Sequence, residues 1–249
     1  MALLLLCFGL LFGVPSNEAV VGEDGPKFAP TSAYESRPLE GWTIRVLSRF
    51  PVDEPRLFDE TWTLLRYQLL QIVRVVPPAA VEKIRTIPIW LELNEPHHPC
   101  ACYHPDAEWL RAHDMNPEKA KGVELANARN FLSWTKQQPW MVLHELAHGY
   151  HDLFLEGGHD NPDLADALIR AREARLYDKV LHINGRDDRH YALTNQAEYF
   201  AEQTEAYFGT NDFFPFVRPE LKRHDPRMHD LVRHLWGVDS PPPAGKPAP

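Results

Sequence analysis

The spacing of apolar residues changes along the chain, and each change marks an element. Residues 42–50 (WTIRVLSRF) alternate apolar with polar side chains, the period of a half-buried strand. From 58 to 76, Leu64, Leu65, Leu69, Ile72 and Val73 recur at helical spacing, with Asp59 and Glu60 in the first turn and Pro77-Pro78 as the stop. A short helix at 79–84 and a second strand at 87–94 (IPIWLELN) follow. This strand, helix, strand order predicts an α+β fold. Residues 103–122 read as loop and short helix, and residues 128–134 as a strand.

The strongest pattern is at 139–158 (PWMVLHELAHGYHDLFLEGG). Pro139 suits a helix start and Gly157-Gly158 its end, while Leu143, Leu146, Ala147, Tyr150, Leu153 and Phe154 make one apolar face. Asn161-Pro162 starts another helix running to about residue 179, and Asn184-Gly185 marks a turn. A further helix spans 195–208 and ends at Gly209. Residues 211–237 form an aromatic-rich cap with one short helix at 228–236, and Phe213, Phe214 and Phe216 are expected to pack in the core.

The ends differ from this middle. Residues 2–14 are an apolar run too short to span a bilayer but the right size for a signal peptide, so residues 1–19 are expected to be removed on export and the chain to be secreted. Residues 20–40, rich in Pro, Gly and charge, read as a flexible linker, and 240–249 as a disordered Pro-rich tail. Residues 41–239 remain as one domain.

Charge narrows the partners. The chain has 249 residues and a net charge of −9, without a basic run or basic-aromatic stripe. Nucleic acid and anionic membrane are therefore excluded as expected partners, and strongly acidic substrates disfavoured. Cys100 and Cys102, one residue apart, are poorly placed for a disulfide. They sit in the run His97-His98-Pro99-Cys100-Ala101-Cys102-Tyr103-His104, which has a metal site's composition but lacks C-x2-C spacing. Its prolines suggest a surface loop.

The helix at 139–158 carries HExxH: His144, Glu145, His148. One turn apart on a helix, His144 and His148 can direct both imidazoles at one metal ion. Glu145, rotated by about 100°, suits a base for a metal-bound water rather than a ligand. The plainer alternative is two helix histidines beside a solvated glutamate.

A catalytic zinc needs a third protein ligand. A metzincin would place a histidine six residues after His148, where this chain has Phe154, so that family is excluded. His151 reads as a surface histidine. Gly209-Thr210-Asn211-Asp212 approaches a GT-x-x-D pattern, but Asp212 arrives one position early. On the helix at 195–208, Glu198, Glu202 and Glu205 form a carboxylate row. Spacing leaves two readings of that row: one carboxylate reaches the metal, or Glu198 caps the helix while Glu202 and Glu205 are solvated.

Residues 191–202, YALTNQAEYFAE, together with the HExxH helix, resemble the catalytic domain of anthrax toxin lethal factor and its relatives, zinc metallopeptidases of the gluzincin group. The resemblance covers about residues 139–208 and leaves out that toxin's translocation and substrate-docking regions. It implies a zincin-like fold, with a mixed sheet packed on the HExxH helix and a second, glutamate-bearing helix. It also implies one Zn2+ held by His144, His148 and Glu198, with Tyr191 stabilising the oxyanion and Glu202 as a carboxylate partner of His144. The expected activity is hydrolysis of a polypeptide substrate with Glu145 as general base. In such a fold a strand before the catalytic helix pairs with substrate, which makes residues 128–134 the expected rail. Two alternatives use the same residues: a catalytically idle protein that binds zinc and a peptide, and a zinc hydrolase of a non-peptide amide.

Overall fold

A computed structural model of the chain describes residues 28–239. The expected signal peptide and Pro-rich tail lie outside the described residues.

The first surprise is a strand inside the expected linker. After a 3-10 turn at Thr31–Ala33, β1 (Tyr34–Leu39) runs antiparallel to β2 (Trp42–Leu47). Glu40 and Gly41 join them with φ of 50° and 93°, the two positive values that a tight hairpin turn needs. Being an edge strand with polar residues and a proline, β1 shows no apolar alternation. Its order comes from pairing with β2 and from Tyr34, whose ring meets Trp90 edge-on at 4.9 Å.

Next come α1 (Phe50–Asp53), α2 (Pro55–Val75), α3 (Pro78–Ile84) and β3 (Ile89–Leu91), close to the expected boundaries. β4 (Ala101–Tyr103), α4 (Ala107–Ala112) and β5 (Val123–Leu125) follow. The five strands form one mixed sheet in the order β1-β2-β3-β5-β4. β2, β3 and β5 are parallel, with Ile44, Ile89 and Val123 in register, whereas β1 and β4 run antiparallel at the two edges.

Residues 128–134 are not a strand but a helix, α5 (Ala128–Trp134). Asn127 caps it by accepting from the Asn130 amide at 2.9 Å, and Ala128, Arg129 and Asn130 have little strand preference. The strand in this region is β5, hidden because it is three residues long and carries the buried Glu124.

The HExxH helix is α6 (Met141–Phe154), and it packs on β4, β5, α2 and α3. It is followed by α7 (Pro162–Glu173), capped by Asn161, then by the small hairpin β6 (Val180–Leu181) and β7 (Asp187–Asp188). α8 (Gln196–Phe208) lies against α6 and buries Ala197, Phe200, Ala201 and Thr204. The closing segment holds two helices where one was expected, α9 (Arg218–His224) and α10 (Pro226–Leu235). Trp236 stacks on Tyr150 of α6 at 4.2 Å and donates from its indole N–H to Thr204 of α8 at 3.0 Å, tying the cap to the helix pair. The result is α+β, a mixed sheet with ten α-helices among the described residues. No helix among them is long and apolar enough to cross a membrane.

Candidate metal centre

α6 and α8 face each other at one end of a cleft of about 810 Å³, whose other wall is the β4 edge. His144 and His148, one turn apart on α6, hold their rings 4.8 Å apart and nearly perpendicular. From α8, Glu198 brings Oε2 to 3.1 Å from His144 Nε2 and 3.4 Å from His148 Nε2. These are distances at which three donors share one ion of zinc's size. Glu198 is free to do this because Asn195 caps α8, accepting from the amides of Ala197 (2.8 Å) and Glu198 (2.9 Å).

Glu205 and Glu202 are buried rather than solvated. Glu205 Oε1 lies 2.7 Å from His144 Nδ1 and fixes that ring, whereas the nearest oxygen of Glu202 is 3.8 Å away. The carboxylate partner of His144 is therefore Glu205, which corrects the expectation for Glu202. Two α8 turns separate Glu205 from Glu198, and that places the two carboxylates on opposite nitrogens of one imidazole. Glu202 instead sits between His144 and His190, its Oε2 buried without a hydrogen bond.

The electrostatics call for a cation. Burial opposes a charge on His144, yet its hydrogen bonds to Glu198 and Glu205 push its pKa well above the usual value. Burial also raises Glu198, but the His148 charge and the His144 bond outweigh it and hold that carboxyl well below its ordinary range. Burial, then Asp212 and Glu205, push Glu202 well up, and burial lifts Glu205 to about 7. Three buried carboxylates, Glu198, Glu202 and Glu205, around two imidazoles need a positive ion or bound protons. Buried His and Glu side chains are thus positioned to hold a metal ion, and the donor set suits one.

Glu145 and Tyr191 both line the same cleft, Glu145 from α6 and Tyr191 from a 3-10 turn at Tyr191–Leu193. That turn is capped by His190, whose Nδ1 accepts from the Ala192 amide at 3.1 Å. Asp212 is in the cleft wall, 3.5 Å from His182, but outside the triad of donors. Phe213 lines the cleft and stacks on His190 at 4.8 Å, so it is not simply core.

Two further expectations change. His151 is fully buried, packed between His159 and Phe200, because α6 is enclosed on nearly every side. The cysteine-histidine run is not a surface loop, since it contains β4 and buries Cys100, Cys102 and His104. The role of Glu205 at His144, and His190 and β4 altogether, were missed because each depends on a partner far away in sequence. No protein-family model, curated protein or solved structure matches the chain.

Proposed function

We propose that the chain is a zinc metallopeptidase of the gluzincin type, with a zincin-like fold and one catalytic Zn2+ held by His144, His148 and Glu198. The observation that carries this reading is the convergence of those three donors at 3.1 and 3.4 Å beside Glu145 in the wall of a large cleft. A zinc ion bound there supplies Lewis acidity and lowers the pKa of its water towards about 7.

The protein's own residues do the rest. Glu145 takes the proton of the attacking water as the new C–O bond forms, then gives it to the amine as the C–N bond breaks. The Tyr191 phenol donates to the carbonyl oxygen as it gains negative charge. Glu205 keeps the His144 ring oriented by accepting from its Nδ1–H.

The substrate rail moves from α5 to β4. β4 is an edge strand whose second side is unpaired within the sheet, and Cys100 to His104 line the cleft. An extended polypeptide adding to that edge would run past Glu145. Secretion stays part of the proposal, as the apolar N-terminal run is its support.

The test is digestion of a diverse peptide library by the zinc-loaded chain beside Glu145→Gln, read by mass spectrometry. The expected outcome is cleavage by the unaltered chain alone, with the variant keeping its zinc and slower by at least about 100-fold. Zinc in both and cuts from neither would favour an idle zinc- and peptide-binding protein or a hydrolase of a non-peptide amide.

A further inference from the structure

The β4 edge carries a second group of metal-binding side chains. His98, Cys102 and His104 bring their ligand atoms within 4.8 Å of one another. Cys102 Sγ is 3.5 Å from His104 Nε2. That is the edge of a tetrahedron whose sulfur and nitrogen lie about 2.3 and 2.0 Å from a shared ion. His98 faces His104 with ring centroids 5.3 Å apart, and its Nε2 is buried with no hydrogen-bond partner. An unpartnered buried ring nitrogen costs free energy that a ligand would recover.

A fourth donor and a charge imbalance adjoin the three. Glu124 of β5 puts Oε2 2.6 Å from His104 Nε2. Behind it, the buried Lys119 ammonium contacts both Glu124 and Glu92, so one positive group faces two carboxylates. A proton on Glu92, whose pKa burial raises, or a cation at this corner can balance that charge.

We infer that His98, Cys102 and His104 form a second metal site, with Glu124 as fourth donor, for a divalent ion of zinc's class. A thiolate with imidazoles selects such an ion over magnesium or calcium, which prefer oxygen. On binding, the Cys102 thiol gives up its proton to solvent, and the proton that His104 Nε2 donates to Glu124 beforehand passes through solvent to Nδ1, which leaves Nε2 free to bind the ion. His104 and Glu124 then part to an edge of about 3.4 Å, a shift of under about 1 Å. His98 and His104 flank β4 and Cys102 lies within it, so the ion staples the segments before and after the strand to the strand itself and stiffens one wall of the cleft. The inference holds whether or not the His144 centre is catalytic.

Cobalt distinguishes the two centres, because only this one offers sulfur. The full chain, stripped with chelator, is titrated with Co2+ while absorption and bound metal are followed. The expected result is one ion at each centre and a thiolate-to-cobalt charge-transfer band. Cys102→Ser should lose the band and one ion, and His104→Gln, which can still donate to Glu124, should lose that ion too. Cys100→Ser should keep both, since its thiol rests 3.4 Å from the Met141 sulfur instead. His148→Ala should lose the other ion and keep the band. A saturated protein without the band, or a band that survives Cys102→Ser in a chain folded by circular dichroism, overturns the site. Either result leaves a hydrogen-bonded corner in which His104 bridges Cys102 and Glu124.

Discussion

Glu202 and Glu205 differ in sequence position by less than one helical turn, yet only Glu205 reaches His144 within hydrogen-bond distance, at 2.7 Å. Glu205→Gln should therefore weaken zinc binding about 10- to 100-fold, the usual effect of removing a carboxylate behind a ligating histidine. Glu202→Gln should weaken it less, and competition with a chelator of known affinity measures both. His190 and His151 act on stability instead. Burial, the main cause in each, lowers their pKa to about 3, so both are neutral in the folded chain. Unfolded, they titrate near 6.5, and below that pH the unfolded state binds more protons. Stability is therefore lost as pH falls from about 6.5 towards 3, by about 2 kcal/mol per histidine at pH 5. His190→Asn keeps an acceptor for the Ala192 amide but does not titrate. Urea unfolding at pH 7 and pH 5 should show its pH-dependent loss to be smaller by about that amount.

Among the elements, α6 and β4 meet at Gly149. A Cβ there would stand 2.6 Å from Ile87 Cδ1 and 3.0 Å from the Tyr103 ring, and the Tyr103 hydroxyl is held by Asp152 at 2.6 Å. Gly149→Ala gains roughly 1 kcal/mol of helix propensity, but Tyr103 has little room to retreat. A net loss of about 1–3 kcal/mol is expected from overpacking, together with a raised KM because β4 shifts, and chemical denaturation beside steady-state kinetics reads the two. The glycine had no signal in the periodicity, since it stands on a face that is apolar for other reasons. α6 and α8 were legible as helices because their apolar faces are local, as is the Asn195 cap of α8. β1 and β5 were not, because an exposed edge strand and a three-residue strand with a buried glutamate lack alternation.

Across the molecule, an ion held by His144, His148 and Glu198 would balance a crowd of buried carboxylates. Without it, Glu205, raised by burial to about 7, keeps a proton that its unfolded form releases near the ordinary carboxyl value. That contribution is fully present below about pH 4.5 and is lost as pH rises through 7. The gap between the melting temperatures of the zinc-loaded and chelator-stripped chains should therefore widen from about pH 4.5 to 7. At neutral pH, with zinc at about a thousand times its Kd, the ion should add about 4 kcal/mol. A gap that narrows with rising pH would contradict the assignment of Glu205 to this centre.

The sequence by itself determined the α+β class, the two helices and the HExxH residues His144, Glu145 and His148, because helical period acts over a few residues. Spacing left the carboxylate row of the second helix open, and Glu198 was singled out there by the resemblance to lethal-factor-like peptidases. It also exposed the cysteine-histidine run as a set of donors. Only the tertiary structure decided that Glu205 rather than Glu202 meets His144, and that β4 rather than residues 128–134 forms the cleft's edge. It likewise brought His98, Cys102 and His104 to Glu124. Those pairings depend on how α8 is rotated against α6 and on which strand lies beside β5. Both are set by packing between segments distant in sequence, which no local period records.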